Sequence, residues 1–126
     1  MKAKTAWIAL TVLAGVASLS IPVYSHHSFA MFDMTKSVTV VGTVKEWKWV
    51  NPHCWLYIDA AGPSKAKREW SFETSNSAVL IRQGWNKNIL RPGDKVTVTG
   101  HPSRDGASVG TIETVTIPDG RVLRGR

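Results

Sequence analysis

At 126 residues the chain has room for one domain, and 16 Lys and Arg against 9 Asp and Glu give it a net charge of +7. The basic residues are scattered, so charge marks out no dedicated nucleic-acid face. A single cysteine, Cys54, excludes an internal disulfide.

The first 25 residues read as a secretory signal peptide. Lys2 and Lys4 form a positive start, and Ala6 to Ile21 is an apolar run broken only by Thr11, Gly15, Ser18 and Ser20. Pro22 ends any helix, and Val23-Tyr24-Ser25 presents a small residue at the expected cleavage point. The alternative is an uncleaved anchor, but the run is short for a hydrocarbon core of ~30 Å. No cysteine stands at the junction to take a lipid. Cleavage after Ser25 is therefore expected, with residence in the periplasm or outside the cell and no stable membrane span afterwards. The mature chain from His26 keeps 14 basic residues against 9 acidic, a net +5. No nucleic-acid partner is expected of an exported protein, whereas an envelope component is.

Residues 26–36 form a polar-aromatic lead-in, and residues 37–126 form the folded domain. Ser37 to Val50 is rich in Val, Thr and Trp and reads as a long first strand. Val38, Val40 and Val44 share one face, and Trp47 and Trp49 then take the other. Side chains alternate along a strand, so this change of parity requires a bulge or strong coiling, which Gly42 would permit. Asn51-Pro52 marks a turn. Cys54 to Ala60 is a second strand, and Ala61-Gly62-Pro63-Ser64 turns the chain, with Lys65, Lys67 and Arg68 as a solvated basic cluster beside it. Lys67 to Thr74 is a third strand, with Trp70 and Phe72 on one face and Glu69, Ser71 and Glu73 on the other.

The pattern then becomes helical. Ser75 or Ser77 can cap the start by accepting from free backbone N–H groups. Ala78, Val79, Leu80 and Ile81 follow, Gly84 stops the helix in a left-handed cap, and Trp85 packs back over Leu80. Arg91-Pro92-Gly93-Asp94 turns into a fourth strand, Lys95 to Gly100. Pro102 to Gly110 is a loop, Thr111 to Ile117 a fifth strand, and Pro118-Asp119-Gly120 leads to a short tail.

Three strands, one helix and two strands is the element order of an OB-like five-stranded antiparallel barrel. A half-open antiparallel sheet packed on one helix has the same order, so both stay open. OB barrels offer an aromatic strand face to oligosaccharides or polyanions, and Trp47, Trp49, Trp55, Tyr57, Trp70 and Phe72 supply aromatics. Most of these are expected in the core, because buried aromatics contribute most per residue to a thin core. Trp49 and Trp55 are the candidates for a ligand-binding face.

No nucleophile elbow, zinc-protease helix or phosphate loop is present. His53 and Cys54 are adjacent on a strand and point to opposite faces, which argues against a Cys–His dyad. Cys54 is open to three readings, a free thiol, an intermolecular bridge or a buried small hydrophobe, and its apolar neighbours favour the last. A binding module is thus expected rather than an enzyme. His53 stands where a turn enters a strand, a position suited to ligands. After cleavage His26 would be the first residue of the mature chain, offering its α-amine and ring to one metal ion, with the second imidazole from His27. Amine and imidazole nitrogens suit copper, zinc or nickel, copper(II) ranking highest in affinity. His26, His27 and His53 are therefore the candidate ligands, and copper the candidate cofactor.

His26-His27-Ser28-Phe29 after a signal peptide, then Val41-Gly42-Thr43-Val44, Asn51-Pro52-His53 with Trp55, Gly84-Trp85, Pro92-Gly93-Asp94, Arg104-Asp105-Gly106 and Pro118-Asp119-Gly120-Arg121 span the mature chain in order. This set resembles a bacterial family of short exported proteins known only as a domain of unknown function. The resemblance implies export and a small β domain, and it brings no catalytic residues. It also implies that the position of Cys54 varies.

Overall fold

In the computed structural model, which describes residues 27–61 and 67–126, a one-turn helix α1 (His27–Ala30) precedes strand β1 (Val38–Lys48). Then come β2 (Trp55–Ala61), β3 (Lys67–Glu73), helix α2 (Ser77–Arg82), β4 (Lys95–Pro102), β5 (Val109–Thr116) and β6 (Val122–Arg124). The predicted signal peptide, residues 1–25, and the turn residues Gly62 to Ser64 lie outside the described residues.

The strands run in the order β3-β2-β1-β4-β5-β6, and β3 also pairs with β5, which closes a five-stranded barrel. The long first strand makes closure feasible. Its first half, Val38 to Thr43, pairs with β4, and its second half, Gly42 to Lys48, pairs with β2. The mostly β, OB-like architecture with one helix between the third and fourth strands is as expected, and the closed form replaces the half-open one. The all-antiparallel description needs correction: β3 and β5 run parallel, through Ser71–Val109, Phe72–Gly110 and Glu73–Thr111. A closed ring with an odd number of strands cannot alternate direction all the way round. One parallel pair is forced, and it falls between β3 and β5.

The parity change in β1 occurs, but at Lys45 rather than Gly42. The register with β2 shifts between Val44 and Glu46, so Lys45 is the extra residue of a bulge. Val40 and Val44 are buried before it, and Trp47 and Trp49 turn onto the core after it. In β2 the buried set is Cys54, Leu56, Ile58 and Ala60, an unbroken alternation. Phe72, Val96, Val98, Ile112 and Val115 complete the interior. Most of the predicted core aromatics stop short of full burial. Of the six, only Phe72 is buried, and Trp47, Trp49, Trp55, Tyr57 and Trp70 are half-buried. Leu, Ile and Val fill most of the barrel interior, and these five rings lie at its margin or on its outer wall.

Helix α2 is capped by Asn76, not by Ser75 or Ser77. Asn76 Oδ1 accepts from Val79 N at 3.0 Å. The hydroxyl and N–H of Ser77 are instead taken by Asn51 Oδ1, both at 3.0 Å, which ties the Asn51-Pro52 turn to the helix start. The end of the helix is as expected. Gly84 has φ of 90°, its N–H bonds Ile81 O, and the N–H of Trp85 bonds Leu80 O, both bonds of a Schellman motif. Leu80 and Trp85 are both buried and carry the helix onto the core.

The predicted 102–110 loop is shorter, because β4 reaches Pro102 and β5 begins at Val109. The predicted tail is partly a strand: β6 pairs with β5 through Val122 to Arg124. Leu123 is buried there, and Trp85 Nε1 donates to Arg124 O at 2.6 Å. From Met31 onward the lead-in is docked on the barrel. Phe32 is fully buried and bridges to Ser103, Asp33 N donates to Pro102 O at 2.8 Å, and Arg104 N donates to Met31 O at 2.9 Å. The Asp33 carboxylate accepts from the hydroxyl and N–H of Thr35 just beyond, and these bonds hold its pKa down to about 2.

Candidate functional site

The turn that enters β2 is fastened on three sides. Asn51 caps Ser77, Cys54 N donates to Ser75 O at 3.2 Å, and Thr74 N donates to Cys54 O at 3.0 Å. These bonds extend the β2–β3 ladder past its formal end, so His53 keeps the outward parity of Trp55 and Tyr57. Its ring Nδ1 lies 3.1 Å from Thr74 O and 3.1 Å from Glu73 Oε1. A carbonyl oxygen only accepts, so Nδ1 carries the hydrogen and donates. The lone pair of the neutral ring is then on Nε2. This is the arrangement found around metal-binding histidines, where a carboxylate or carbonyl fixes the tautomer and aims the other nitrogen. The side chain of His53 is 31% exposed, and that of Glu73 only 7%.

Glu73 is the residue that strand alternation misassigned. Parity places it on the face of Glu69 and Ser71, yet it is buried beneath His53 and beside Thr111 of β5. Its importance depends on the β2–β3 register, which sets it opposite Trp55. No pattern within the third strand alone carries that information.

His26 lies outside the described residues, and His27 is described only as the first backbone residue of α1. The site they would share with His53 is therefore approached through their neighbours. The Phe29 ring lies 5.3 Å from the Arg126 guanidinium. Gly125 O accepts from Thr74 Oγ1 at 2.5 Å and from Ser75 N at 3.2 Å. Thr74 O in turn accepts from His53. One chain of contacts thus links α1 to the His53 turn, by way of the residues after β6. Among the described residues no three His, Cys, Asp or Glu side chains come together as a metal site.

The two tryptophans considered for a ligand face are placed differently. Trp49 packs on Trp47, with ring centroids 5.8 Å apart, and Trp47 packs on Trp85 at 5.1 Å, so Trp49 belongs to the margin of the core. Trp55 stacks with Tyr57 on the outer wall at 6.4 Å, and Lys48 Nζ lies 5.1 Å from the Tyr57 ring. Cys54 points the other way and is fully buried. Its Sγ–H donates to Val50 O at 3.3 Å, and burial pushes the thiol pKa up. Of its three readings, the small buried hydrophobe describes it. Among the described residues no helix is long and apolar enough to cross a membrane.

Fold and site together define a small, mostly β barrel protein with one imidazole–carboxylate pair at a strand end. Residues 7–113 match the family of unknown function DUF6152, and the chain belongs to that family. No curated protein matches it. Among solved structures it is similar to part of the crystal structure of a complex of TiaS with an isoleucine tRNA and ATP, with a TM-score of 0.49 and 21% identity, over 65% of this chain and 18% of that one.

Proposed function

We propose that the chain is exported, is cleaved after Ser25, and serves as a binding module for one copper(II) ion. The ligands in this reading are the new terminal amine, the His26 ring and Nε2 of His53, with His27 available for a fourth position. The observation that carries the reading is the hydrogen-bond pattern of His53. With Nδ1 donating to Thr74 O and the Glu73 carboxylate, the ring presents a lone pair outward on Nε2. The contacts from Phe29 through Arg126 and Gly125 to Thr74 support it, since they connect α1 to the residues that hold His53. Copper is favoured over zinc and nickel by the affinity order for nitrogen ligands.

The test uses mature protein with His26 as residue one, titrated with copper(II) by calorimetry and followed by electron paramagnetic resonance. Binding is expected to be at least tenfold tighter than to a free His-His-Ser peptide, and His53→Ala is expected to lose about tenfold, roughly 1.4 kcal/mol. Affinity unchanged in His26→Ala or in His53→Ala would refute the reading.

A second reading takes an envelope oligosaccharide or polyanion as the ligand. Its support is the outward Trp55–Tyr57 stack beside Lys48. Trp49, packed against the core beside Trp47, is placed less openly for this role than Trp55.

A further inference from the structure

A second feature lies on the outer wall, away from His53 but sharing Arg126 with the contacts that lead from α1 to the His53 turn. A pocket of about 420 Å³ is lined by His101 of β4, Glu113 and Thr114 of β5, Arg124 of β6, and Arg126. Its floor follows from a bulge. The β4–β5 register shifts where Gly100 pairs with Ile112 and Thr99 with Thr114, so Glu113 is the extra residue. A bulge re-aims its side chains, and here it turns a charged residue and its neighbour toward one hollow. Arg124 stands across from Thr114 in the β5–β6 ladder, on the same outward face.

The polar groups of this hollow are complementary in kind. Two guanidiniums supply donors and positive charge, and a guanidinium fork suits an oxyanion. Glu113 supplies an acceptor. His101 supplies another, because its Nδ1 lies 2.7 Å from Lys36 O and must donate there, which leaves the lone pair on Nε2. Among the described residues neither Arg124 nor Glu113 has an ion-pair partner, although both line one pocket, and Arg126 is engaged only by the Phe29 ring. A bare oxyanion would satisfy the arginines but not the carboxylate. An oxyanion that keeps a hydroxyl proton would satisfy both.

We propose that this pocket binds a small protonated oxyanion, of which hydrogen phosphate is the simplest, with Arg124 and Arg126 on its oxygens and Glu113 accepting its hydroxyl proton. The free ion and the monoanion of a phosphate monoester share this chemistry, and separate titrations distinguish them.

The probes are inorganic phosphate, glycerol 3-phosphate and sulfate, each titrated at constant ionic strength at pH ~5.5, where the ester too keeps a hydroxyl, and followed by amide chemical shifts. At that pH phosphate keeps a hydroxyl and sulfate has none. Saturable shifts centred on His101, Glu113 and Arg124 are expected with phosphate, and weaker binding by about tenfold with sulfate. Tighter binding of glycerol 3-phosphate would identify the ester as the better ligand, and tighter binding of phosphate would identify the free ion. Arg124→Gln is expected to weaken phosphate binding about tenfold. Its side chain is outward and exposed, so the amide spectrum serves as the check that the barrel is intact. Glu113→Gln is expected to abolish the preference for phosphate over sulfate. Absence of saturable phosphate binding, equal affinity for phosphate and sulfate, or an unchanged affinity in a folded Arg124→Gln protein would overturn the proposal.

Discussion

Phe32→Ala tests how the lead-in is joined to the barrel. Phe32 is fully buried and is, among the described residues, the one apolar anchor between α1 and β1, since Phe29, Met31 and Met34 are all exposed. Truncating a buried Phe to Ala costs about 3–5 kcal/mol, and less where neighbours can collapse into the gap. The anchor sits at the edge of the barrel, so the lower end applies, about 3 kcal/mol. A domain of this size is stable by about 5–15 kcal/mol in all. The expected fall in melting temperature is on the order of 12–24 °C, from about 4–8 °C per kcal/mol. Urea unfolding measures the loss, and hydrogen exchange locates it. The amides of Asp33 and Arg104, which bond across the seam to Pro102 and Met31, are expected to lose protection before those of β1 and β4. Copper affinity is expected to drop toward that of His53→Ala, with no further loss when the two substitutions are combined, because both separate the terminal chelate from His53. A fall below about 1 kcal/mol with the Asp33 and Arg104 amides still protected would refute the docking argument.

Two further outcomes are expected. Cys54 is buried with a raised thiol pKa, so the folded protein should resist iodoacetamide at pH 8, and alkylation should appear only in denaturant; rapid labelling of the native protein would contradict the inward orientation of β2. If the outer wall of β2 binds an oligosaccharide, titration should change tryptophan fluorescence in the parent and not in Trp55→Ala, and an identical change in both would remove Trp55 from that role.

What was legible in the sequence was whatever depends on one strand or one helix at a time. The alternation of Cys54, Leu56, Ile58 and Ala60 fixes which face of β2 is buried, and Leu80 with Gly84-Trp85 writes the helix and its stop. What was not legible depends on two segments meeting. Three consecutive residues, Ser75, Asn76 and Ser77, can each cap α2. The choice falls to Asn76 because Asn51, 26 residues away, occupies Ser77. β6 has only three residues, too short for alternation to register, and it exists because Leu123 finds a place in the core. The bulge was required by parity, but its position at Lys45 is set by pairing with β2. Glu73 was hidden for the same reason: within β3 it alternates like a solvated residue, and only the neighbouring His53 turn makes it a buried partner.

These cross-segment contacts converge on the end of β3. Closing an odd-numbered barrel requires one parallel pair, and that pair ends at Glu73 against Thr111. From Glu73 onward the backbone leaves the barrel wall, and its polar groups are taken up by other segments. Thr74 N and Ser75 O bond Cys54, Thr74 Oγ1 and Ser75 N share Gly125 O, and Asn76 caps the helix. Thr74 O is the carbonyl left pointing toward the His53 turn, and it accepts from Nδ1. The orientation of His53 therefore rests on the residues at and just after the end of β3 as well as on its own turn. If His53 takes the ion proposed above, its tautomer is set before the ion arrives, and little ordering of the imidazole remains to be done on binding.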